Sequence, residues 1–223
     1  MSLLKIEDVS VVYGSYSNKV TALKNVSLEI NSGEFIAVTG RSGCGKTTLL
    51  NVLGGILKPS QGSYIFDGQN VYLKKDKELA KFRNQNVSFI VQHFALIPDR
   101  TVRDNVALPL LFRHSGRREI KEKVFAALEQ LGISDKMYSY PYELSGGECQ
   151  RAAIARALVA DSKLLIADEP TGALDEANGY KIIEIMHSLN REGKTIIMVT
   201  HDLELAKEGT SMICMRDGEI RDK

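Results

Sequence analysis

Two stretches near the start of the chain alternate apolar and polar positions. They are LLKIEDVSVVY, residues 3–13, and ALKNVSLEI, residues 22–30, with the turn-rich GSYSNKV between them. Alternation with a period of two is typical of strands that bury one face. The pattern predicts a small antiparallel sheet at the N-terminal end.

Further along, the apolar residues form short, nearly continuous runs. These runs are FIAVTG, VSFIV, KLLIADE and TIIMVT, and helical segments separate most of them. Runs of this kind are expected of strands that are buried on both faces of a parallel sheet. We therefore predict an α/β fold with a mainly parallel sheet.

A helix-rich stretch, roughly Thr101 to Met137, interrupts these strands. Thr101 and Asp104 have the spacing of a helix cap, and REIKEKVFAALEQLGI has the spacing of an amphipathic helix. The charge run SGRREIKEK is interpreted as a solvated helix face rather than a binding patch. We predict an inserted helical subdomain, at about residues 93–150, within a single domain of residues 1–223.

Composition narrows the range of partners. With 29 basic and 28 acidic residues the net charge is +1, which gives no general attraction to nucleic acid, so nucleic acid is not expected as a partner. Three dispersed cysteines indicate neither a disulfide framework nor a zinc site, and they suit a reducing cytosol. The apolar runs are too short to span a bilayer, so any membrane component is expected to come from a partner.

The strongest motif is GRSGCGKT, residues 40–47, which follows the strand FIAVTG and precedes the helical TLLNVLGGIL. Its glycines let backbone amides wrap phosphates, Lys46 can reach the β and γ phosphates, and Thr47 can ligate Mg²⁺. Cys44, beside a helix N-terminus, is expected to be a reactive thiol. The residues predicted to contact the nucleotide are Gly40, Arg41, Ser42, Gly43, Cys44, Gly45, Lys46, Thr47 and Thr48.

Two carboxylates follow the buried strand KLLIADE. Because neighbouring side chains on a strand point to opposite faces, Asp168 and Glu169 are not expected to share one task. We assign Asp168 to the Mg²⁺ shell and Glu169 to the attacking water, as general base or water positioner. An acidic turn after a buried strand is the alternative, and the phosphate loop upstream argues against it.

Two other strands also end in polar side chains, at Gln92 and His201. If all these strands are parallel in one sheet, the phosphate loop, both carboxylates, Gln92 and His201 lie along one edge. Gln92 would then contact Mg²⁺ or the water, and His201 would bond the γ phosphate. Each could instead be an ordinary polar strand end.

The stretch YELSGGECQRAAIARAL, residues 142–158, begins a predicted helix with an anion-binding character. Ser145 and Glu148 can form a capping box, and Gly146 and Gly147 leave the first amides uncovered. Such a helix start favours negative charge, yet the stretch has no lysine of its own to hold a nucleotide. The phosphate must therefore be brought to it from elsewhere.

For two further residues the sequence allows two roles each. Tyr13 can stack on an adenine, since aromatic faces suit flat bases, or it can be a partly buried sheet residue. Asp175 can line the same edge of the sheet, or it can cap the helix EANGYKIIEIMHSL.

In this order the motifs resemble the ATPase subunit of an ABC transporter over nearly the whole chain. GRSGCGKT corresponds to Walker A, Gln92 to the Q-loop, LSGGE to the signature, LLIADE to Walker B, GALD to the D-loop and His201 to the switch histidine. LSGGE is the specific element, because phosphate loops occur in many NTPases. Tyr13 falls where the family carries its adenine-stacking aromatic residue.

The resemblance implies a P-loop NTPase core with an N-terminal antiparallel β subdomain and an inserted α-helical subdomain. It also implies ATP and Mg²⁺ as cofactors, with Mg²⁺ held by Thr47, Gln92 and Asp168. The catalytic residues that it implies are Glu169, His201, Gln92 and Lys46.

The family also implies a head-to-tail dimer, in which the signature of one chain closes on the ATP held by the other. Ser145 and Gly147 would contact that γ phosphate, with Gly146 and Glu148 beside them, which explains a helix start without its own ligand. A homodimer is expected because every motif is intact.

DEPTGALD and LIPDRTVRDNVALPL are similar to a subfamily of macrolide and antimicrobial-peptide exporters, lipoprotein-release ATPases and the cell-division ATPase. This similarity implies a permease partner that contacts residues 92–111, a place on the cytoplasmic face of the membrane, and export or mechanical transmission.

A regulatory ATPase of the cell-division type is the alternative function. The motifs match two other classes of protein less well: a cytosolic ABC ATPase that acts on ribosomes or DNA, and a small-molecule kinase. Arg41, Cys44 and Cys149 depart from the commoner family pattern without changing its essential positions.

Overall fold

Two sheets organise the chain in the computed structural model, which describes residues 2–14 and 18–222. The first half of the chain contains β1 (Ser2–Tyr13), β2 (Val20–Asn31), β3 (Phe35–Gly40), α1 (Lys46–Leu53), β4 (Gln61–Phe66), β5 (Gln69–Asn70), α2 (Asp76–Asn86), β6 (Val87–Val91) and α3 (Val102–Phe112). The second half contains α4 (Arg117–Gln130), α5 (Gly146–Val159), β7 (Leu164–Asp168), α6 (Glu176–Arg191), β8 (Thr195–Val199), α7 (Leu203–Ala206), β9 (Ser211–Arg216) and β10 (Glu219–Asp222).

The predicted antiparallel sheet is confirmed. Its strand order is β2-β1-β4-β5, and β1 pairs antiparallel with both β2 and β4. The side chains of β2 alternate between exposed and buried along its second half, which is what the period of two predicted. Residues 15–17 of the predicted turn lie outside the described residues.

The predicted parallel sheet is also confirmed, with the strand order β10-β9-β3-β8-β7-β6. Strands β9, β3, β8, β7 and β6 pair in parallel, and β10 pairs antiparallel with β9. All five residues of β8 are buried, so the apolar run reflects burial on both faces. The carboxyl ends of β3, β6, β7 and β8 therefore meet at one edge.

The parallel sheet separates two apolar clusters. Ile36 and Val38 of β3 pack in the cluster shared with α1 and the antiparallel sheet. The alternate residues Phe35 and Ala37 pack in the cluster shared with α3 to α6. The phosphate loop that follows β3 is thus supported by both layers.

A helical region follows β6 and contains α3, α4 and α5. Thr101 Oγ1 accepts a hydrogen bond from the Asp104 amide at 3.2 Å, so the predicted cap is confirmed. Exposed ion pairs, such as Arg118 with Glu122, occupy the predicted solvated face of α4. Whether the subdomain has the bounds 93–150 stays a prediction. Across the described ranges, no helix is both long and apolar enough to cross a bilayer.

Two predicted helices are shorter in the structure than the sequence pattern indicated. The pattern TLLNVLGGIL predicted a helix to residue 57, but α1 ends at Leu53 because Gly54 caps it and Gly55 takes the left-handed conformation, with φ 66°. The amphipathic pattern predicted a helix to residue 133, but α4 ends at Gln130 before Gly132, whose φ is 64°.

The carboxyl end of α1 is fixed by two buried tyrosines. Tyr64 donates its hydroxyl to the Leu53 carbonyl at 2.6 Å, and Tyr72 donates to the carbonyls of Val52 at 2.6 Å and Leu57 at 2.7 Å. Carbonyls at the end of a helix lack their usual partners within it, although the Val52 carbonyl accepts one bond from the Gly55 amide at 3.0 Å. The tyrosines supply further hydrogen bonds to these acceptors. The helix that starts at the phosphate loop is thereby anchored to the β4–β5 region.

Candidate active site

A cleft of about 440 Å³ lies at the carboxyl edge of the parallel sheet. It gathers the ends of β3, β6, β7 and β8, as the sequence predicted. The residues that line it are Ala22, Gly40, Ser42, Gly43, Gly45, Lys46, Thr47, Thr48, Gln92, Asp168, Glu169, Val199 and His201. Residues from four separate sequence motifs therefore face one space.

Glycines shape the phosphate loop between β3 and α1. Gly40 and Gly45 have φ values of 148° and 107°, which side chains rarely adopt. A Cβ at Gly40 would lie 2.4 Å from the Met215 carbonyl oxygen, and one at Gly45 would lie 2.5 Å from the Ala22 carbonyl oxygen. The loop can pass this close to β2 and β9 only without side chains at these two positions.

Lys46 places a positive charge across the loop. Its Nζ donates to the carbonyl oxygens of Gly40 at 2.7 Å and Arg41 at 2.9 Å. Lys46 is also the first residue of α1, so the ammonium group and the helix N-terminus act on the same space. This combination favours a bound phosphate.

Asp168 and Thr47 fit an Mg²⁺ ion that is also bound to phosphate. The hydroxyl of Thr47 bonds to the Asp168 carboxylate, and burial, followed by the charge of Glu169, raises the pKa of Asp168. Hydroxyl and carboxylate oxygens are hard ligands suited to Mg²⁺. The described residues contain no group of three or more His, Cys, Asp or Glu side chains that could hold a metal by itself. Phosphate and water oxygens would therefore complete the shell.

Glu169 and His201 form a pair in the cleft. Oε2 of Glu169 lies 2.7 Å from Nδ1 of His201, and the Glu169 side chain is 21% exposed. Asp168 and Glu169 both line the cleft, which agrees with their predicted place at one edge of the sheet, and whether they have separate tasks stays a prediction. Strand alternation does not extend to Glu169, which leaves β7 with a left-handed φ of 47°.

The side chains of Gln92 and Glu169 both lie close to the backbone of Gly172. A Cβ added to Gly172 would lie 3.0 Å from Nε2 of Gln92 and 3.2 Å from Oε2 of Glu169. A side chain here would push the two apart. Gly172 lies in the GALD motif but was not among the predicted site residues.

The signature helix begins with the predicted capping box, but it lies outside this cleft. Ser145 Oγ accepts from the Glu148 amide at 3.3 Å, while Glu148 Oε2 accepts from the Ser145 amide and hydroxyl, both at 2.8 Å. These Ser145 hydrogen bonds are the main cause that lowers the pKa of Glu148. Ser145 and Gly146 are exposed, whereas Gly147 packs against Asn178.

Three predicted contact residues do not line the cleft. Tyr13 is 43% exposed and pairs with Val20, so either role proposed for it remains a prediction. Arg41 contributes its carbonyl to Lys46. Cys44 is 6% exposed and packs in the apolar core, so little of its side chain is accessible, and its reactivity stays a prediction.

Asp175 has both of the properties considered for it. Its side chain accepts from the Asn178 amide at 2.9 Å, which confirms the cap of α6. It also lines a second cleft, of about 430 Å³, together with Glu169 and His201.

Two residues of α5 contact loops of the site but were not predicted from the sequence. Nε2 of Gln150 donates to the Pro170 carbonyl at 2.6 Å, directly after Glu169. Arg156 donates to the carbonyls of Phe94 and Ala95, two and three residues after Gln92. The only available signal was that both are polar residues in a helix rich in alanine.

Comparison with known proteins agrees with this geometry. The model of the ABC transporter family matches residues 23–172. The macrolide export ATP-binding/permease protein MacB of Escherichia coli is 42% identical over 98% of this chain, which spans only 34% of MacB. The ABC transporter ATP-binding protein YvrO of Bacillus subtilis is 40% identical over 98% of this chain and 95% of its own length.

A solved structure is also similar over nearly its full length. The ATP-binding cassette MJ0796, solved as a dimer in a post-hydrolysis state with ADP and Pi, has a TM-score of 0.91 and 38% identity. The match covers 98% of this chain and 97% of that one.

Proposed function

Because this chain belongs to the ABC transporter family, as an ATP-binding cassette, we propose that it hydrolyses ATP in the cleft described above to drive a membrane permease. The observation that carries this proposal is the convergence of Lys46, Gln92, Asp168, Glu169 and His201 at one sheet edge. A phosphate-binding cation, a metal-binding carboxylate and a residue that positions the attacking water are groups that catalyse nucleotide hydrolysis.

The residues have separable roles in this reaction. Lys46 and the loop amides bind the β and γ phosphates, and Tyr13 would stack on the adenine. Glu169 accepts the proton of the attacking water as its oxygen bonds to the γ phosphorus and ADP leaves. His201, 2.7 Å from Glu169, orients that carboxylate and bonds the γ phosphate. Thr47, Asp168 and Gln92 would hold Mg²⁺, which would neutralise phosphate charge when bound.

The proposal includes a head-to-tail homodimer. The exposed start of α5 is separate from the cleft of its own chain, and its amides suit an anion. Ser145 and Gly147 would contact the γ phosphate bound by the other chain. The Ser145 hydroxyl donates to Glu148 in this structure, so it would exchange that bond for the phosphate. The dimer of the similar cassette MJ0796 supports this arrangement.

The permease contact is proposed at a groove of about 340 Å³ beside α3. Ile56, Phe89 and Phe112 line it, and Phe112 is 75% exposed, so the groove offers apolar contacts to a helix. MacB combines an ATP-binding and a permease part, and this chain matches about a third of it. We propose a place on the cytoplasmic face of the membrane, with export or mechanical transmission as the output.

Light scattering of Glu169→Gln tests hydrolysis and pairing together. Removing the base should stall hydrolysis by at least about 100-fold while leaving ATP bound, so that dimers accumulate. Adding Ser145→Arg should prevent dimer formation, whereas Ser211→Arg, at another exposed serine, should not. Full hydrolysis by Glu169→Gln would refute the assigned base, and dimers that persist with Ser145→Arg would refute the trans contact.

A further inference from the structure

The loop that follows Gln92 has a strained backbone. Phe94 and Ala95 have φ values of 59° and 47°, and within the described chain they are the only adjacent non-glycine residues in the left-handed region. Residues other than glycine rarely adopt this conformation, because it brings Cβ too close to the following carbonyl oxygen. Something outside the loop must hold it, because the chain could otherwise relax.

Arg156 supplies that restraint. Its Nη1 donates to the Ala95 carbonyl at 2.5 Å, and its Nη2 donates to the Phe94 carbonyl at 2.8 Å. A planar guanidinium can hold two neighbouring carbonyls at once, which a lysine ammonium cannot do in the same fixed geometry. Both terminal nitrogens of the arginine therefore bind the backbone of the strained turn.

A second side chain fixes the far end of the loop. Asn105, which is fully buried on α3, accepts from the Ile97 amide at 2.7 Å and donates to the carbonyls of Ile97, Arg100 and Thr101 at 3.0 Å each. Between this anchor and Arg156, the backbone from Phe94 to Thr101 is tied to α3 and α5. Only Gln92 and His93 separate this anchored loop from β6.

Arg156 also lies where two surfaces of the chain meet. It lies on α5, which begins at the signature, and it lines the groove proposed for the permease. With a rise of about 1.5 Å per residue, Arg156 is roughly 16 Å along the helix from Ser145. One side chain thus joins the signature helix, the groove and the loop of Gln92.

We propose that Arg156 is a positioning residue for Gln92: it holds the carbonyls of Phe94 and Ala95 and so keeps the Gln92 amide in the phosphate cleft. This inference rests on the proposed ATPase function. It assigns Arg156 no contact with nucleotide, so loss of its two bonds should impair the metal-dependent hydrolysis step and leave ATP binding intact.

The kinetic test compares Arg156→Lys with Arg113→Lys in the full chain. Arg113 is a matched control, because its guanidinium also holds a backbone carbonyl, that of Asn84, away from the cleft. Arg156→Lys should lower kcat about tenfold with little change in KM for ATP, and it should raise the Mg²⁺ concentration for half-maximal activity. Arg113→Lys should change none of these.

A double-variant cycle separates positioning from general destabilisation. In a Gln92→Ala background, Arg156→Lys should cause no further loss of kcat, because the side chain that it positions is gone. Multiplicative losses in the double variant, or an unchanged kcat for Arg156→Lys alone, would overturn the proposal.

Hydrogen exchange without nucleotide tests the same contact independently of activity. Amides of residues 93–97 should exchange at least about tenfold faster in Arg156→Lys than in the wild type, while those of β7 stay unchanged. Equal exchange in the two proteins would overturn the inference even if the chain hydrolyses ATP. A wild-type chain that does not hydrolyse ATP would instead refute the proposed function, and the exchange result would still decide whether Arg156 holds the loop.

Discussion

At the scale of single residues, Gly54 shows how closely the phosphate-loop helix packs on the sheet. A Cβ at this position would lie 2.0 Å from Cζ of Phe89 on β6. Overpacking of this kind costs about 1–3 kcal/mol, so Gly54→Ala should lower the free energy of unfolding by that amount. Urea denaturation followed by circular dichroism measures the change.

Gly116→Ala is the matched control for this prediction. Gly116 has an ordinary φ of −66°, and a Cβ there would meet no heavy atom within 4 Å. We expect its unfolding free energy to stay within about 0.5 kcal/mol of the wild type. Equal losses in the two variants would show that the Phe89 contact does not limit this position.

Residues within one motif could be predicted from the sequence because their roles depend on local spacing. GRSGCGKT fixes the order of glycines, Lys46 and Thr47 along the backbone, and the structure places those side chains in one cleft. The separate tasks assigned to Asp168 and Glu169 rested on strand alternation, which does not extend to Glu169, where φ is 47°. Arg156 and Gln150 were missed because their partners lie 20 or more residues away in sequence.

At the scale of elements, α1 depends on hydrogen bonds at its end distant from the phosphate loop. Removing the Tyr64 or Tyr72 hydroxyl leaves a buried carbonyl of Leu53 or Val52 with one acceptor bond fewer. Tyr64→Phe and Tyr72→Phe should each lower the free energy of unfolding by about 1–3 kcal/mol. Tyr142→Phe, at a side chain that is 77% exposed, should leave urea denaturation unchanged.

The same tyrosines predict a loss of stability in alkali. Burial raises the pKa of Tyr64 and of Tyr72 above the ordinary value of 10.0. Because the folded pKa exceeds the unfolded one, their contribution is fully present below pH 10 and is lost as the pH rises towards the folded values. The urea midpoint of the wild type should therefore fall as the pH rises from 10 to 11.

The Tyr64→Phe/Tyr72→Phe double variant is the control for this pH effect. It lacks both ionisable groups, so its urea midpoint should fall less over the same pH range than that of the wild type. Parallel slopes in the two proteins would assign the alkaline loss to other groups.

The elements themselves were largely predictable, because two periodicities are distinct in this chain. Alternation identified β1 and β2, and continuous apolar runs identified β3, β6, β7 and β8. Helix ends were less predictable: the apolar pattern continues past Leu53, but the backbone of Gly55 leaves the helical region. The order of strands in the parallel sheet required long-range pairing, which no local pattern contains.

At the scale of the whole molecule, binding of ATP and pairing of chains should be linked. A ligand that binds only the folded state at 100 times its Kd adds about 2.7 kcal/mol of stability. If ATP also joins two chains, the melting temperature should rise further as the protein concentration increases. We expect Glu169→Gln with Mg²⁺ and ATP to show both effects in differential scanning fluorimetry.

Two additional substitutions separate binding from pairing in that experiment. Ser145 is exposed and lies outside the cleft, so adding Ser145→Arg should keep the rise caused by ATP but remove its dependence on protein concentration. Adding Lys46→Ala should remove the rise itself, because the cation that spans the phosphate loop is lost. If the Ser145→Arg protein melts with the same concentration dependence as its parent, then the chains pair through a surface other than the signature helix. If it loses the ATP-induced rise as well, then the start of α5 contributes to the nucleotide site of its own chain. In that case the signature and the cleft of one chain come together when ATP binds.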